Sequence, residues 1–340
     1  MTLTYLAYLK PMKMTDVPVS SAETYINDND WVLEQKMDGA RALIIWTYDS
    51  GFRWLASGGG PLKFAAAAQH MAAIESSLKQ LFYDNDIMAI ALDGELVVES
   101  GTYYVFDMPF LDSESASRVL PENPYAYRRE ELEDLMQMMT FDNVQVVLSV
   151  GQVDQKRRLW EDIQAANVEG AMVKHRSAPY ESGVRSKQQL KLKLVKSADV
   201  IVTSVERKFD HKGMVTHGSA DLALRIKPEQ DPRPWLHPVT ERRISDAERE
   251  KLLAGTKAQY AKAIGYQWSP RGRLSVGAAS LIGKDLTIDV GDVVEVHYLY
   301  WGGDALVQPR IVRKRLSEEK PADDCWLDQI PAYSREAVTI

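Results

Sequence analysis

The sequence of 340 residues predicts an α+β domain of largely antiparallel sheets with flanking helices, followed by a small β-barrel. Three observations carry this. Strand-like runs alternate with helical stretches as far as Lys196. Beyond that point short strands dominate, with one helix between them, in about 120 residues. The chain is also long enough to hold two separate cores. The expected division is 1–196 for the first domain and 197–340 for the barrel, with an insertion around 227–284.

Trp31-Val32-Leu33 and Ala42-Leu43-Ile44-Ile45-Trp46 read as strands joined through a tight turn at Asp38-Gly39. Strands with tight turns continue to the Ser57-Gly58-Gly59-Gly60 run. Pro61 then opens a helix that runs to about Asp84, since proline is tolerated in a first helical turn. Ile87–Val98 and Tyr103–Phe106 are strands, and Tyr127–Met138 is a helix with Leu132, Leu135 and Met138 on one face. Val144–Val150 is a β-branched strand, and Asp154 caps a helix reaching Ala166. Val168–Lys174 and Gln188–Val195 complete the first domain. In the second, strands are expected at Val200–Val205, Met214–Val215, Leu222–Ile226, Leu286–Ile288 and Val293–Tyr300. Ser245-Asp246-Ala247-Glu248 matches a capping box, followed by the apolar face Leu252, Leu253, Tyr260 and Ile264. Short strands with one helix suit a barrel of the oligonucleotide-binding type.

The single cysteine, Cys325, excludes an internal disulfide framework and a cysteine-built zinc site, and it suits a reducing compartment. The first ten residues lack the apolar core of a signal peptide, and no run approaches membrane-spanning length. A soluble cytoplasmic protein is the expectation. The net charge of −7 argues weakly against nucleic-acid binding. Local basic stretches argue the other way: Arg185, Lys187, Lys191, Lys193 and Lys196 stand without an acid between them, and Arg310, Arg313, Lys314 and Arg315 form a second group.

Lys36, in Glu34-Gln35-Lys36-Met37-Asp38-Gly39-Ala40-Arg41, is the most informative residue. A turn at Asp38-Gly39 projects one amine, which when neutral is a nucleophile. A solvated lysine beside an ordinary hairpin carries about equal weight on this fragment alone. Leu92-Asp93-Gly94-Glu95 places an acid before a strand, and Tyr104-Val105-Phe106-Asp107 offers a ring that stacks on a base or fills a core. Val168-Glu169-Gly170-Ala171-Met172-Val173-Lys174 puts a carboxylate and a lysine around one strand, as a metal ligand and phosphate partner or as a structural ion pair. Strand alternation sends Lys191 and Lys193 to one face and Leu190, Leu192 and Leu194 to the other. Two such lysines repel unless an anion lies near both.

In their order and spacing these segments resemble the motifs of ATP-dependent DNA ligases, members of the covalent nucleotidyltransferase superfamily. The resemblance runs from about residue 31 to Cys325 and adds Pro309-Arg310-Ile311-Val312-Arg313-Lys314-Arg315 with Glu319-Lys320-Pro321 as a last motif. The chain's compact two-domain form looks similar to that of bacteriophage and bacterial accessory ligases. The resemblance implies an ATP-grasp-like adenylation domain followed by an OB-fold barrel. By this resemblance Lys36, with Asp38 and Arg41, takes AMP from ATP, then passes it to the 5′-phosphate of a nick, where the 3′-hydroxyl displaces it. Glu34 and Phe106 hold adenine, Glu95 the ribose, and Lys174, Lys191 and Lys193 the phosphates. Glu169 and Glu95 hold magnesium or manganese, and Arg315 and Lys320 meet the pyrophosphate. The implied partners are ATP and nicked double-stranded DNA, without a membrane, and the protein is expected to be a monomer. RNA ligases and capping guanylyltransferases share most of these motifs, and a non-enzymatic barrel needs only the basic stretches.

Two departures stand out. Relatives often carry Ser-Arg where this chain has Ser57-Gly58, so a phosphate-reading arginine is vacant there or replaced by Arg53 or Arg41. Leu316-Ser317-Glu318 also separates Arg315 from Glu319, which shifts the register of the last motif.

Overall fold

The computed structural model describes residues 2–63, 67–114, 118–166, 168–209, 211, 215–227, 273–281 and 288–331. Two compact units divide the chain, one formed chiefly by Met1–Leu194 and the other by Val195–Tyr333. In chain order the first carries α1 (Thr2–Tyr8), β1 (Lys13–Val17), α2 (Ala22–Ile26), β2 (Trp31–Gln35), β3 (Ala40–Thr47), β4 (Gly51–Ala56), α3 (Ala68–Asp84), β5 (Ile87–Val97) and β6 (Thr102–Ser113). It continues with α4 (Tyr125–Gln137), β7 (Val144–Val146), β8 (Ser149–Val150), α5 (Val153–Ala165), β9 (Gly170–His175) and β10 (Arg185–Lys193).

These strands form two five-stranded sheets, ordered β1-β10-β9-β2-β8 and β4-β3-β5-β6-β7. Most pairings are antiparallel, as expected; β1 with β10 and β6 with β7 are parallel. In the second sheet, Leu43-Ile44-Ile45-Trp46 and Ile90-Ala91-Leu92 are continuous apolar runs because both of its faces are covered. Ile74, Leu78, Leu81 and Phe82 of α3 and Leu132 of α4 pack on one face. Leu6, Leu9, Met12 and Tyr180 close the other against Leu43, Ile45 and Phe110.

On one face of the first sheet Ala22, Ile26, Leu159, Trp160 and Ile163 pack on Leu33, Val173, Leu190 and Leu192. On the other, Val32 packs with Tyr125 and Ala178 beside the buried Glu34 and Lys174. The register sets Glu34 beside Met172 and Met172 beside Lys191, so this row shares the opposite face. Alternation in β10 thus does what its sequence requires, with leucines toward the core and Lys191 and Lys193 away from it.

Several expectations need correction. β2 and β3 are not a hairpin, because they belong to different sheets and residues 36–39 cross between them. The first long helix begins at Ala68 rather than Pro61, since Pro61 bridges Leu55 and Leu62 N–H donates to the Trp54 carbonyl, which prolongs β4 pairing. Val144–Val150 splits where the chain leaves β6 to join β2, giving β7 and β8 in separate sheets. Asp154 lies inside the first turn of α5, and Gln152 occupies the cap without a side-chain hydrogen bond.

The second unit carries β11 (Lys196–Phe209), β12 (Val215–Arg225), β13 (Arg273–Ser280), β14 (Val293–Tyr298) and β15 (Arg310–Lys314). They close into a five-stranded barrel ordered β11-β12-β13-β15-β14, consistent with the expected OB-fold. Val200, Leu222, Val276, Val294, Val296 and Ile311 fill it. β13 falls within the stretch expected to be an insertion, so part of 227–284 is barrel wall; β15 was expected only as a basic motif. The capping-box helix and Leu286 lie outside the described residues, and Ile288 is not in a strand.

Candidate active site

Lys36 follows β2 immediately, and its N–H donates to the Gly170 carbonyl at 2.9 Å. This bond fixes the start of the crossover to the segment that carries Glu169. Across it, Lys36 Nζ stands 2.5 Å from Glu169 Oε2. The Leu194 N–H donates to the Glu169 main-chain carbonyl at 3.0 Å, so chain on both sides of β9 fixes the backbone at Glu169 and Gly170. Gly170 has φ 143°, and a Cβ there would lie 2.0 Å from the Leu192 carbonyl oxygen. Only glycine fits.

Gly39 is required for a different reason from the turn that the sequence suggests. Its φ is not in the left-handed region, but a Cβ there would lie 2.4 Å from the Leu96 carbonyl oxygen. The crossover therefore runs hard against β5. Asp38 lies in the same crossover, and Arg41 follows on β3 with Glu95 as its register partner on β5.

Arg41 makes a two-pronged ion pair with Asp93, Nε to Oδ1 at 3.1 Å and NH2 to Oδ2 at 2.7 Å. Tyr180 OH also donates to Asp93 Oδ2 at 2.6 Å. Asp93 is buried and serves to aim Arg41, a role that sequence reading did not assign to it. Arg53 donates to the Leu6 carbonyl at 2.5 Å. Glu95 is pushed up to about 7, chiefly by burial; Lys36 and Arg41 oppose the shift while Glu169 and Asp93 add to it. Those four influences place Glu95 within the same charge cluster as Lys36 and Glu169.

Lys191 and Lys193 meet an anion that sequence reading did not name. Asp16 Oδ2 is 3.3 Å from Lys191 Nζ, and Asp16 Oδ1 is 3.7 Å from Lys193 Nζ. Burial lowers the pKa of Lys191, and the charges of Lys193 and Lys36 lower it further, against the opposing pull of Asp16.

Glu34 and Lys174 form a second centre. Glu34 accepts from Tyr125 OH, pairs with Lys174 at 2.7 Å and has Arg129 at 3.9 Å. Lys174, expected at a phosphate, has no exposed side-chain surface. Its ammonium is held by Glu34, donates to the Phe106 carbonyl at 3.1 Å and stands 4.6 Å from the Phe106 ring centre. It is a buried strut that braces the Glu34 and Phe106 strands. Arg41 lies 5.1 Å from the same ring centre.

Asp107, next to Phe106, is tied by Arg128 through two bonds of 2.8 and 2.9 Å. Burial alone raises a carboxyl pKa, but the Arg128 pair outweighs it and holds Asp107 low. Arg128 also donates to the carbonyls of Asn123 at 2.5 Å and Ala178 at 3.0 Å. The only sequence signal for this brace is the Arg128-Arg129 pair on a helix after the aromatic strand.

Arg315 and Lys320 belong to the barrel unit. Arg315 Nε lies 2.7 Å from Asp199 Oδ1, and its NH2 lies 3.2 Å from Glu295 Oε2. Lys320 follows β15 in a turn where its N–H donates to the Leu316 carbonyl.

Among the described residues no cluster of three or more metal-ligating side chains occurs. Glu169 and Glu95 nonetheless fit magnesium, which keeps several waters and takes one or two protein carboxylates alongside substrate phosphates. No helix among the described residues is long and apolar enough to cross a membrane.

A lysine, two carboxylates and a same-face lysine pair are thus carried by two largely antiparallel sheets in the first unit, and the second unit is a five-stranded barrel. Residues 99–193 match the family described as ATP dependent DNA ligase domain. That stretch holds Phe106, Glu169, Lys174, Lys191 and Lys193; Lys36 lies before it. The chain is 32% identical over 111 residues to DNA ligase 1 of Korarchaeum cryptofilum, a match covering 32% of this chain and 19% of that relative. A structure described as Pmar-Lig_PreS3 superposes over 91% of this chain and 68% of its own, with a TM-score of 0.51 and 16% identity, a likeness of fold. The ligase domain of M. tuberculosis LigD covers 93% of this chain and 97% of its own, at 20% identity and a TM-score of 0.45.

Proposed function

We propose that this chain is an ATP-dependent DNA ligase that seals nicks in duplex DNA as a monomer. The observation that carries the reading is the cluster of Lys36, Glu169 and Glu95 beside the Lys191–Lys193 pair. Lys36 Nζ attacks the α-phosphorus of ATP; the P–N bond forms as the bond to pyrophosphate breaks, and the lysine proton leaves. AMP then passes to the 5′-phosphate at the nick, restoring the free amine. The 3′-hydroxyl attacks that phosphate, gives up its proton and expels AMP.

Lys191 and Lys193 offset charge on the phosphate oxygens, most strongly where charge builds up in the transition state. Phe106 and Glu34 are assigned to adenine, with Lys174, Tyr125 and Arg128 bracing them. Glu95 and Arg41 are assigned to the ribose and the adjoining phosphate. Asp38 is assigned to the positioning of Lys36. Magnesium, held by Glu169 and Glu95, supplies charge neutralisation on the triphosphate when bound. Arg315 and Lys320 are assigned to the pyrophosphate, which requires Arg315 to leave Asp199 and Glu295.

Incubation with α-labelled ATP or GTP, followed by denaturing electrophoresis, tests the first step. Label from ATP that disappears in Lys36→Ala is the expected result. Retained label in that variant sinks the assignment, and label from GTP points to a capping enzyme. Nicked duplexes with DNA or RNA strands then separate DNA sealing from RNA sealing.

A further inference from the structure

Strand β1 lies at the edge of the first sheet and pairs in parallel with β10, setting Asp16 in register with Lys191. Each carboxylate oxygen of Asp16 faces one lysine, at 3.3 Å for Lys191 and 3.7 Å for Lys193, so one carboxylate bridges the pair. No other carboxylate among the described residues forms an ion pair with either lysine at these distances. The bridge is loose. Asp16 retains 57% of its side-chain exposure, and the lysines retain 22% and 24%. Exposed pairs of this kind are weak and exchange readily.

We propose that Asp16 is an internal counter-anion which occupies the Lys191–Lys193 pair in the free protein and competes with the nucleotide's phosphates for it. The inference rests on the reading that these lysines receive the triphosphate. Two neighbouring ammonium groups on one strand face need an anion near both. Asp16 supplies it, and thereby lowers the affinity of the pair for an incoming polyanion. Because the bridge is solvent-exposed, a triphosphate with several charges displaces it. When pyrophosphate or AMP departs, the carboxylate is at hand to retake the lysines. Asp16 is therefore a positioning residue that sets nucleotide affinity and favours product release, without touching the reacting atoms.

Equilibrium binding of an ATP analogue with a methylene bridge between the α and β phosphorus atoms tests this on the full chain. Asp16→Asn is expected to bind it about fivefold more tightly than the unaltered protein. Asp16→Glu, which keeps the charge, is expected to remain within twofold. The gain is expected to shrink in molar salt, where exposed charges are screened. In steady state, KM for ATP falls in Asp16→Asn while kcat does not rise. Unchanged or weaker binding in Asp16→Asn overturns the proposal. Unchanged binding in the double variant Lys191→Ala, Lys193→Ala instead overturns the reading of the lysine pair on which it rests.

Discussion

Lys36 and Glu169, 133 positions apart in sequence, meet at 2.5 Å because antiparallel β2 and β9 bring the end of one beside the start of the other. The pair couples the proposed nucleophile directly to the proposed metal carboxylate. Glu169→Gln keeps the shape but removes the charge that holds both partners. Attachment of AMP to Lys36 is expected to slow by about a hundredfold, the scale for losing one group that orients or stabilises a reacting centre. A single-turnover assay with labelled ATP measures it. A rate within threefold of the unaltered protein contradicts the role given to Glu169.

Glu95 makes the site pH-dependent. Its carboxyl is raised from an ordinary value of 4.5 to about 7, chiefly by burial. A group that binds its proton more tightly when folded stabilises the fold fully below the unfolded value, and that contribution is lost as pH rises through about 7. Glu95→Gln removes this term, so its stability in urea is expected to change less between pH 5 and pH 8. Magnesium-dependent AMP attachment takes the opposite direction, because it uses the carboxylate, and rises through the same window. A metal requirement independent of pH from 6 to 8 removes Glu95 from the metal site.

Arg128 and Asp107 are a fully buried ion pair, at 0% and 1% side-chain exposure. Removing one partner of such a pair strands the other charge and costs about 3–5 kcal/mol. Arg128→Met is therefore expected to be strongly destabilised in urea unfolding. The double variant Arg128→Met, Asp107→Leu is expected to recover much of that loss, since no charge is left unpaired. Phe106 adjoins Asp107, so the single variant should also raise KM for ATP. Additive losses in the double variant show that the two residues do not act as a unit.

What the sequence disclosed and what it withheld divide along a physical line. Lys191 and Lys193 were legible because strand alternation is local and has a period of two. Lys36, Glu95 and Glu169 were legible because their neighbours form spaced motifs. Long-range pairings were not legible. Asp16 bridging two lysines, Asp93 aiming Arg41 and Arg128 holding Asp107 depend on which strands lie adjacent, which no local pattern states. Lys156 shows the same limit: it is buried on α5 and donates to the carbonyls of Tyr25, Asp28 and Trp31 at 3.0, 2.6 and 3.0 Å, partners far away in sequence. Lys174, expected at a phosphate, is fully buried, paired with Glu34 and bonded to the Phe106 carbonyl, contacts that its local sequence does not announce.

Gly39 tests the crossover itself. Asp38-Gly39 has the look of a hairpin turn, where alanine costs only a change of turn geometry. In the fold, residues 36–39 instead pass between two sheets, and a Cβ at Gly39 meets the Leu96 oxygen at 2.4 Å and its carbonyl carbon at 2.8 Å. Both are backbone atoms of β5, a strand buried within its sheet, so they have no side chain to swing away. The crossover has to move instead, and Lys36 moves with it. A displacement of about 1 Å at a reacting group costs on the order of a hundredfold in rate. Gly39→Ala is therefore expected to lose AMP attachment about a hundredfold while the two sheets stay folded by circular dichroism. A hairpin reading predicts near-normal attachment, so the two accounts give opposite answers in one labelled-ATP assay.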